Sequence, residues 1–267
     1  LNLPDKLYKY ESFSVQSLLN LKNQTVFFAS PSEFNDPFDC AIKAELKDPT
    51  EEEIIKLRDI YLSRDWPNHV INALKTTPLA RLKPTLIRAV REANEEIIDT
   101  FIKTKGVSCF SEVNDELLMW AHYSNKYTGF CLEFSTNNEL FEKAHIVEYV
   151  DQMPKLNILH AYGDSDQFEM LRLFCTKSKS WEYEKEWRVI HDEVGTAYTY
   201  PTNALTGVYF GPKMPRDIIE IICIVLQAQN RHVKFWKGRR SETKFKVEFE
   251  QVFFTPALKV EDMRFST

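Results

Sequence analysis

The chain has 267 residues, 43% hydrophobic and 13% aromatic, enough to bury a sizeable core in one large domain or two small ones. A formal net charge of −5 argues against nonspecific nucleic-acid binding by the whole molecule while leaving room for a local basic patch, and the longest apolar runs are too short or too charged to span a bilayer. Five dispersed cysteines without a C-x-x-C pair, and no basic-then-apolar opening, read as reduced thiols in a cytoplasmic protein that is not secreted.

In chain order, "KLYKYES" and "QTVFFAS" predict two short strands with the helix "VQSLLNLKN" between them. In "DPTEEEIIKLRDIYL", Thr50 followed three residues later by Glu53 predicts a capping box at a helix start. "KPTLIRAVREANEEIIDTFIKTKG" is the clearest helix, with Pro84 near its start, Gly106 closing it, and an apolar stripe of Leu86, Val90, Ala93, Ile97 and Phe101. After Gly106 the pattern turns to strands: "VSCF", "GFCLEF", "HIVEYV", "EWRVIH" and "GVYFG". "RDIIEIICIVLQAQ" predicts a further helix. "KFKVEFEQ" alternates, with Phe245, Val247 and Phe249 inward and Lys246, Glu248 and Glu250 outward. These elements predict a single α+β domain over residues 1–267: a mostly antiparallel β-sheet core with a helical insertion at about 48–104 packed against it.

Absent motifs narrow the chemistry. The first 105 residues contain no glycine, which excludes a P-loop or a dinucleotide-binding glycine fingerprint there, and no later stretch matches either. There is no G-x-S-x-G and no H-E-x-x-H.

Four stretches concentrate polar groups that a plain core does not require. "FFASPSEFNDPFDC" places Ser30, Ser32, Asn35, Asp36 and Asp39 around two prolines. It reads either as a stiff turn or as a ligand-holding loop, and it lacks the oxygen-ligand spacing of a calcium loop. "LLMWAHYSNKY" gathers Trp120, His122 and Tyr123 ahead of Lys126 and Tyr127. A lone histidine is more often structural than a base, but this density of rings suits a flat cofactor or a nucleobase. "SWEYEKEWRVIH" puts Glu182, Glu184 and Glu186 at alternate positions. Tyr183, Trp187 and Ile190 at i, i+4, i+7 allow a helix, but the β-favouring "EWRVI" end selects strand for 184–190. As a strand the stretch sends its carboxylates and Arg188 to one face, with neighbours roughly 6.5–7 Å apart. Each pair then repels by about 0.6 kcal/mol in water, or about 2.4 kcal/mol at an effective dielectric of 20. Lys177, Lys179 and Arg188 are near enough in sequence to keep the carboxylates ionised, so a solvated face and an active-site wall fit equally. "RHVKFWKGRR" interleaves Arg231, Lys234, Lys237, Arg239 and Arg240 with Phe235 and Trp236. It reads as a solvated loop or as a phosphate-binding patch.

The phrases "LYKY", "FFASPSEFNDPFDC", "GVSCFSE", "LLMWAHYSNKYTGFCLEF", "WEYEKEWRVI" and "GVYFGPKMP", in order from about residue 7 to 212, resemble a bacterial family of unknown function, the domain numbered twenty-nine seventy-one. More distantly, "EYEKEWRVI" resembles the E-x-E strand of ADP-ribosyltransferases. That likeness implies that Glu186 hydrogen-bonds the nicotinamide ribose of NAD and stabilises an oxocarbenium-like transition state, while Glu184 positions the acceptor. It maps the superfamily's S-T-S-like strand onto Ser30 and Ser32. Its first-strand Arg or His falls within "LYKYE", where Lys9 stands between Tyr8 and Tyr10, a departure from the pattern. The expected site is then Glu186 and Glu184 as catalytic residues, with Tyr8, Lys9, Tyr10, Ser30, Ser32, Asn35, Trp120, His122, Tyr123 and Arg188 binding the nucleotide. NAD is expected as substrate, with no metal and no membrane. The expected acceptor is a nucleic acid or a protein, and the expected setting that of a toxin or defence effector. Two other readings stay open: a noncatalytic module binding nucleic acid or protein through residues 231–240 and the "MWAHY" surface, and a metal-dependent nuclease built on Asp36, Asp39, Glu184 and Glu186.

Overall fold

The computed structural model describes residues 2–40, 45–156, 158–159 and 167–255. Eight strands form its main sheet: β1 (Lys6–Glu11), β2 (Gly106–Ser111), β3 (Phe130–Ser135), β4 (Ala144–Ile146), β5 (Glu186–His191), β6 (Leu205–Phe210), β7 (Lys234–Arg240) and β8 (Val247–Val252). Their order across the sheet is β8-β7-β6-β3-β1-β2-β5-β4. Every neighbouring pair is antiparallel except β6 and β7, which are joined by a helical crossover. The fold is α+β with a large, mostly antiparallel sheet.

Alternation along the strands makes two faces. Leu7, Phe110, Phe130, Phe134, Trp187 and Phe210 point to one face, where α1 (Val15–Asn23) and α7 (Arg216–Gln227) cover them with Leu21, Ile222 and Leu226. Each such side chain contributes roughly 1.5–3 kcal/mol by burial. Tyr10, Cys131 and Tyr209 point to the other face, against Met119 and Trp120 of the short helix α5 (Leu117–Tyr123).

The helical block is α2 (Glu51–Leu62), α3 (Asn68–Thr76) and α4 (Leu79–Thr104), with a core of its own that includes Ile54, Leu57, Leu74, Leu86 and Val90. Thr50 and Glu53 form the expected reciprocal cap. α4 starts five residues before Pro84, which therefore lies inside it, and its buried stripe is Leu82, Leu86, Val90, Asn94, Ile98 and Phe101. The expected Ile97 is instead 42% exposed, because the buried positions recur every fourth residue from Leu82 to Ile98, and that row winds slowly around the helix. The C-terminal turns of α4 join the block to the sheet by packing Ile98 and Phe101 with Val107 and with Phe174 of α6 (Gln167–Phe174).

Three other expectations are corrected. Residues 234–240 are a sheet strand and not a loop: Phe235 is buried, Trp236 stacks on Tyr209, and Lys237 donates to the Gly211 and Met214 carbonyls. The alternation of cations and aromatics there is strand alternation. Phe245 is 97% exposed because β8 begins two residues after it. "HIVEYV" is two strands: β4 joins the main sheet, and Glu148–Val150 pairs in parallel with Thr176–Ser178.

Between α5 and β3 the backbone is left-handed at three successive non-glycine residues, Asn125 (φ 47), Lys126 (φ 56) and Tyr127 (φ 73). The turn is held by Gly129 and Gly211. A Cβ on either would come within 2.2 Å of a backbone oxygen, that of Glu11 or of Tyr127. Left-handed geometry costs an L-residue about 1–2 kcal/mol, which glycine avoids at an entropic cost of about 0.5–1 kcal/mol. Lys126 is exposed, so Lys126→Gly should stabilise the fold by up to about 1 kcal/mol, measured as a midpoint shift at unchanged m-value in urea.

Candidate functional site

The main sheet is split. β1 pairs with β3 along all six of its residues, and β2 pairs with β5 along all six of its own, but β1 and β2 meet only where Tyr8 faces Ser111. A cleft of about 750 Å³ opens at this split. Its walls take Tyr8, Lys9 and Tyr10 from β1, and Glu184 and Glu186 from the segment across β2. Asn35, His122 and Tyr123 also line it. Lys9 bridges the parted strands: its Nζ donates to Ser108 Oγ at 3.0 Å and to the Cys109 carbonyl at 3.4 Å.

The glutamates arrive by a route that alternation did not predict. Residues Lys179–Glu184 form a 3-10 turn, Lys185 is left-handed at φ 44, and β5 starts only at Glu186. Glu182 is consequently exposed and away from the pair. Glu184 is turned back beside Glu186, and the Ser111 hydroxyl holds it there by donating to its carbonyl at 2.6 Å.

Five charged side chains meet at this point. Arg188 is fully buried on β5 and grips the Glu186 carboxylate with Nε at 2.7 Å and Nη2 at 3.0 Å, while Nη2 also reaches Asp39 at 2.8 Å. Lys177 Nζ lies 2.6 Å from Glu184, 3.3 Å from Glu186 and 3.3 Å from Asp39. Tyr123 donates its hydroxyl to Glu184 at 2.5 Å, and Tyr149 accepts the Glu186 backbone N–H at 2.8 Å. Lys177 and Arg188 thus hold the carboxylates, whereas Lys179 lies outward, 3.8 Å from Asp151.

Three carboxylates against two cations leave one negative charge in excess. The fold resolves it unevenly. Burial raises the Glu184 carboxyl to about 7, with Glu186 adding to the rise and Lys177 opposing it. Burial also acts to raise Glu186, but Arg188 and Lys177 outweigh it and hold that carboxyl down at about 2. One glutamate is a fixed anion and its neighbour an exchangeable proton site, the divergence that acid–base chemistry uses.

The same two values set a pH dependence. Glu184 keeps its proton to about 7 when folded and releases it near 4.5 when unfolded, so between those values the unfolded chain binds fewer protons and stability falls as pH rises. Glu186 has the opposite sign: its stabilisation is present above about 4.5 and is lost as pH falls toward about 2. Melting temperatures should therefore fall from about pH 5 to pH 8, and Glu184→Gln should flatten that limb. An equally steep limb in the variant would exclude Glu184 as its source.

The remaining expected residues are placed as follows. His122 sits exposed at the cleft, its ring centroid 6.1 Å from that of Trp181, and Asn35 Nδ2 donates to the Tyr123 hydroxyl at 3.4 Å. Ser30 and Ser32 lie off the cleft, 2.7 Å from each other, where Ser30 caps the turn that Pro31 starts and donates to the Ile102 carbonyl. Trp120 is core and no open stacking surface: it is fully buried edge-on beneath Tyr10, its indole donating to the Asn114 carbonyl at 2.7 Å. Arg188 supports Glu186 and does not line the cleft. In the nuclease reading a metal ion would sit among the carboxylates, yet the Lys177 ammonium takes that position, and Asp36 instead accepts the Phe38 amide. Among the described residues no group of three His, Cys, Asp or Glu side chains is arranged to hold an ion, and no helix is long and apolar enough to cross a membrane.

Ser111, Tyr149 and Glu11 were not foreseen as site residues. Only Glu11 carried a signal, as the charged i+2 neighbour of Lys9 on one strand.

Residues 119–189 match the model of a family described as Protein of unknown function (DUF2971). The matched segment runs from α5 into β5 and includes Tyr123, Lys177, Glu184, Glu186 and Arg188. No curated protein and no solved structure gives a match.

Proposed function

We propose that the cleft binds NAD or a related nucleotide and that the protein acts as an ADP-ribosyltransferase-like enzyme, a toxin or defence effector whose acceptor is a nucleic acid or a protein. One observation carries the reading: Tyr8, Ser111 and Glu186 lie opposite one another across three adjacent strands where the sheet parts. The Tyr8-Lys9-Tyr10 element and the E-x-E glutamates therefore line one cleft, of a size that takes a small-molecule ligand.

Breaking the bond between ribose C1′ and the nicotinamide nitrogen sends the electron pair out with nicotinamide and builds positive charge on the ribose. Glu186, ionised and fixed by Arg188, stabilises that charge without having to reorganise. The acceptor atom then bonds C1′ and its proton passes to Glu184, whose affinity near 7 suits a general base. Tyr8, Tyr10 and Tyr123 supply walls that are apolar in body and polar at the tip. Lys9, in place of an Arg or His, keeps the charge but has no planar fork, which suits a phosphate contact better than a bidentate one.

The test is direct. NAD should raise the melting temperature, and the wild-type protein should release nicotinamide from it. Failure of both at millimolar NAD rejects the reading.

A further inference from the structure

The cleft has a second end that the chemistry above does not use. Alternation turns Tyr8 and Tyr10 toward the face that holds Glu184 and Glu186, and turns Lys9 and Glu11 toward the opposite face, where Lys9 lies over the Phe110 ring at 5.3 Å. On that side the cleft is lined by Glu11, by Phe27, and by Gln16 and Asn20 of α1. Gln16 donates to Asn20 Oδ1 at 2.9 Å, which leaves an acceptor and a donor of this amide pair to spare among the described residues. Glu11 stands three residues along β1 from Tyr8, roughly 10 Å. A ligand with its reacting ribose at Glu186 must pass Lys9 at the strand split and present its other half to Glu11.

Glu11 is poorly compensated. Its one ion-pair partner among the described residues is Lys9, at 3.9 Å, beyond hydrogen-bond length. Two of the Lys9 N–H groups are already committed to Ser108 and to the Cys109 carbonyl. The Glu11 side chain is only 26% exposed, so water screens its charge incompletely.

Resting on the NAD reading above, we propose that Glu11 determines cofactor specificity: its carboxylate accepts hydrogen bonds from the adenosine ribose hydroxyls and rejects a 2′-phosphate, so the protein takes NAD and excludes NADP. A ribose hydroxyl has a proton to give to a carboxylate. A phosphate monoester brings up to two negative charges and, once ionised, no proton to give. Carboxylates make this discrimination in unrelated dinucleotide folds for the same reason.

The experiment is calorimetric titration of the whole chain at about pH 8, on the alkaline side because burial raises the Glu11 carboxyl while Lys9 opposes the rise, with four probes: NAD, NADP, ADP-ribose and 2′-phospho-ADP-ribose. Wild type should bind the unphosphorylated member of each pair at least about tenfold more tightly, with the gap narrowing as salt is raised. Glu11→Gln should bring each pair within about threefold. Equal binding of both members by wild type, or an unchanged ratio in a folded variant, would overturn the role of Glu11 and leave the NAD reading standing. No binding of any probe would overturn both. The wild-type ratio and its salt dependence need no variant, so a failure of Glu11→Gln to fold does not remove the test.

Discussion

Glu186→Gln should lower the rate of nicotinamide release from NAD by a few hundredfold while leaving most of the shape of the site in place. Loss of one preorganised electrostatic contact to a transition state costs about 3–4 kcal/mol of barrier. The geometry adds a structural cost that spacing alone does not reveal. The Glu186 carboxylate takes two hydrogen bonds from Arg188 and one from Lys177, and glutamine can offer only one oxygen to these three. A drop in stability of about 1–3 kcal/mol is therefore expected as well. Rates must be compared well below both melting temperatures, per mole of folded protein. Glu182→Gln is the control, since Glu182 is exposed on the 3-10 turn and should change neither quantity. Equal rates for all three proteins would remove Glu186 from catalysis and leave it as a partner of Arg188.

The largest effect on stability should come from Arg188→Met. Arg188 is 0% exposed, and its guanidinium serves Glu186, Asp39 and the Phe174 carbonyl together. Methionine fills much of the space but leaves three carboxylates facing Lys177 alone. Breaking a buried pair from one side costs about 3–5 kcal/mol. For a chain of this size that is a fall in melting temperature on the order of 10 °C. The double variant Arg188→Met with Glu186→Gln should be less destabilised than the sum of the two singles, because it removes one of the stranded charges. Additive losses would mean that the two side chains act independently, contrary to the geometry.

Periodicity was a good guide where one face of an element is apolar. α1 spans the expected nine residues, and β2, β3, β5 and β6 fall on the β-branched and aromatic runs. It failed at "SWEYEKEW", where both helical and strand periods were present and the break depends on Lys185 adopting a left-handed conformation that lysine does not advertise. It failed again at Trp120 and Phe245, because alternation or clustering of rings does not say how deep each ring lies. The cleft brought Tyr8, Lys9, Tyr10, Asn35, His122 and Tyr123 together with Glu184 and Glu186, as grouped from the chain. The meeting of Asp39 with Lys177 across 138 positions was not legible, since no local rule connects residues that far apart. Nor could the strand pattern show that β1 and β2 would part after a single pairing.

The place of β1 has a consequence for synthesis. β1 ends near the centre of the sheet, yet its neighbours are far downstream: the first begins at Gly106 and the better one at Phe130. At cellular translation speeds the gap between Glu11 and Gly106 takes roughly 5–20 s, during which β1 has both hydrogen-bonding edges free. An unpaired strand recruits other strands unless it carries charges that discourage them. "KLYKYE" carries three charges in six residues, Lys6, Lys9 and Glu11. A strand destined for the interior is thus written like one on a border, because it lives on a border until the ribosome has made its partners.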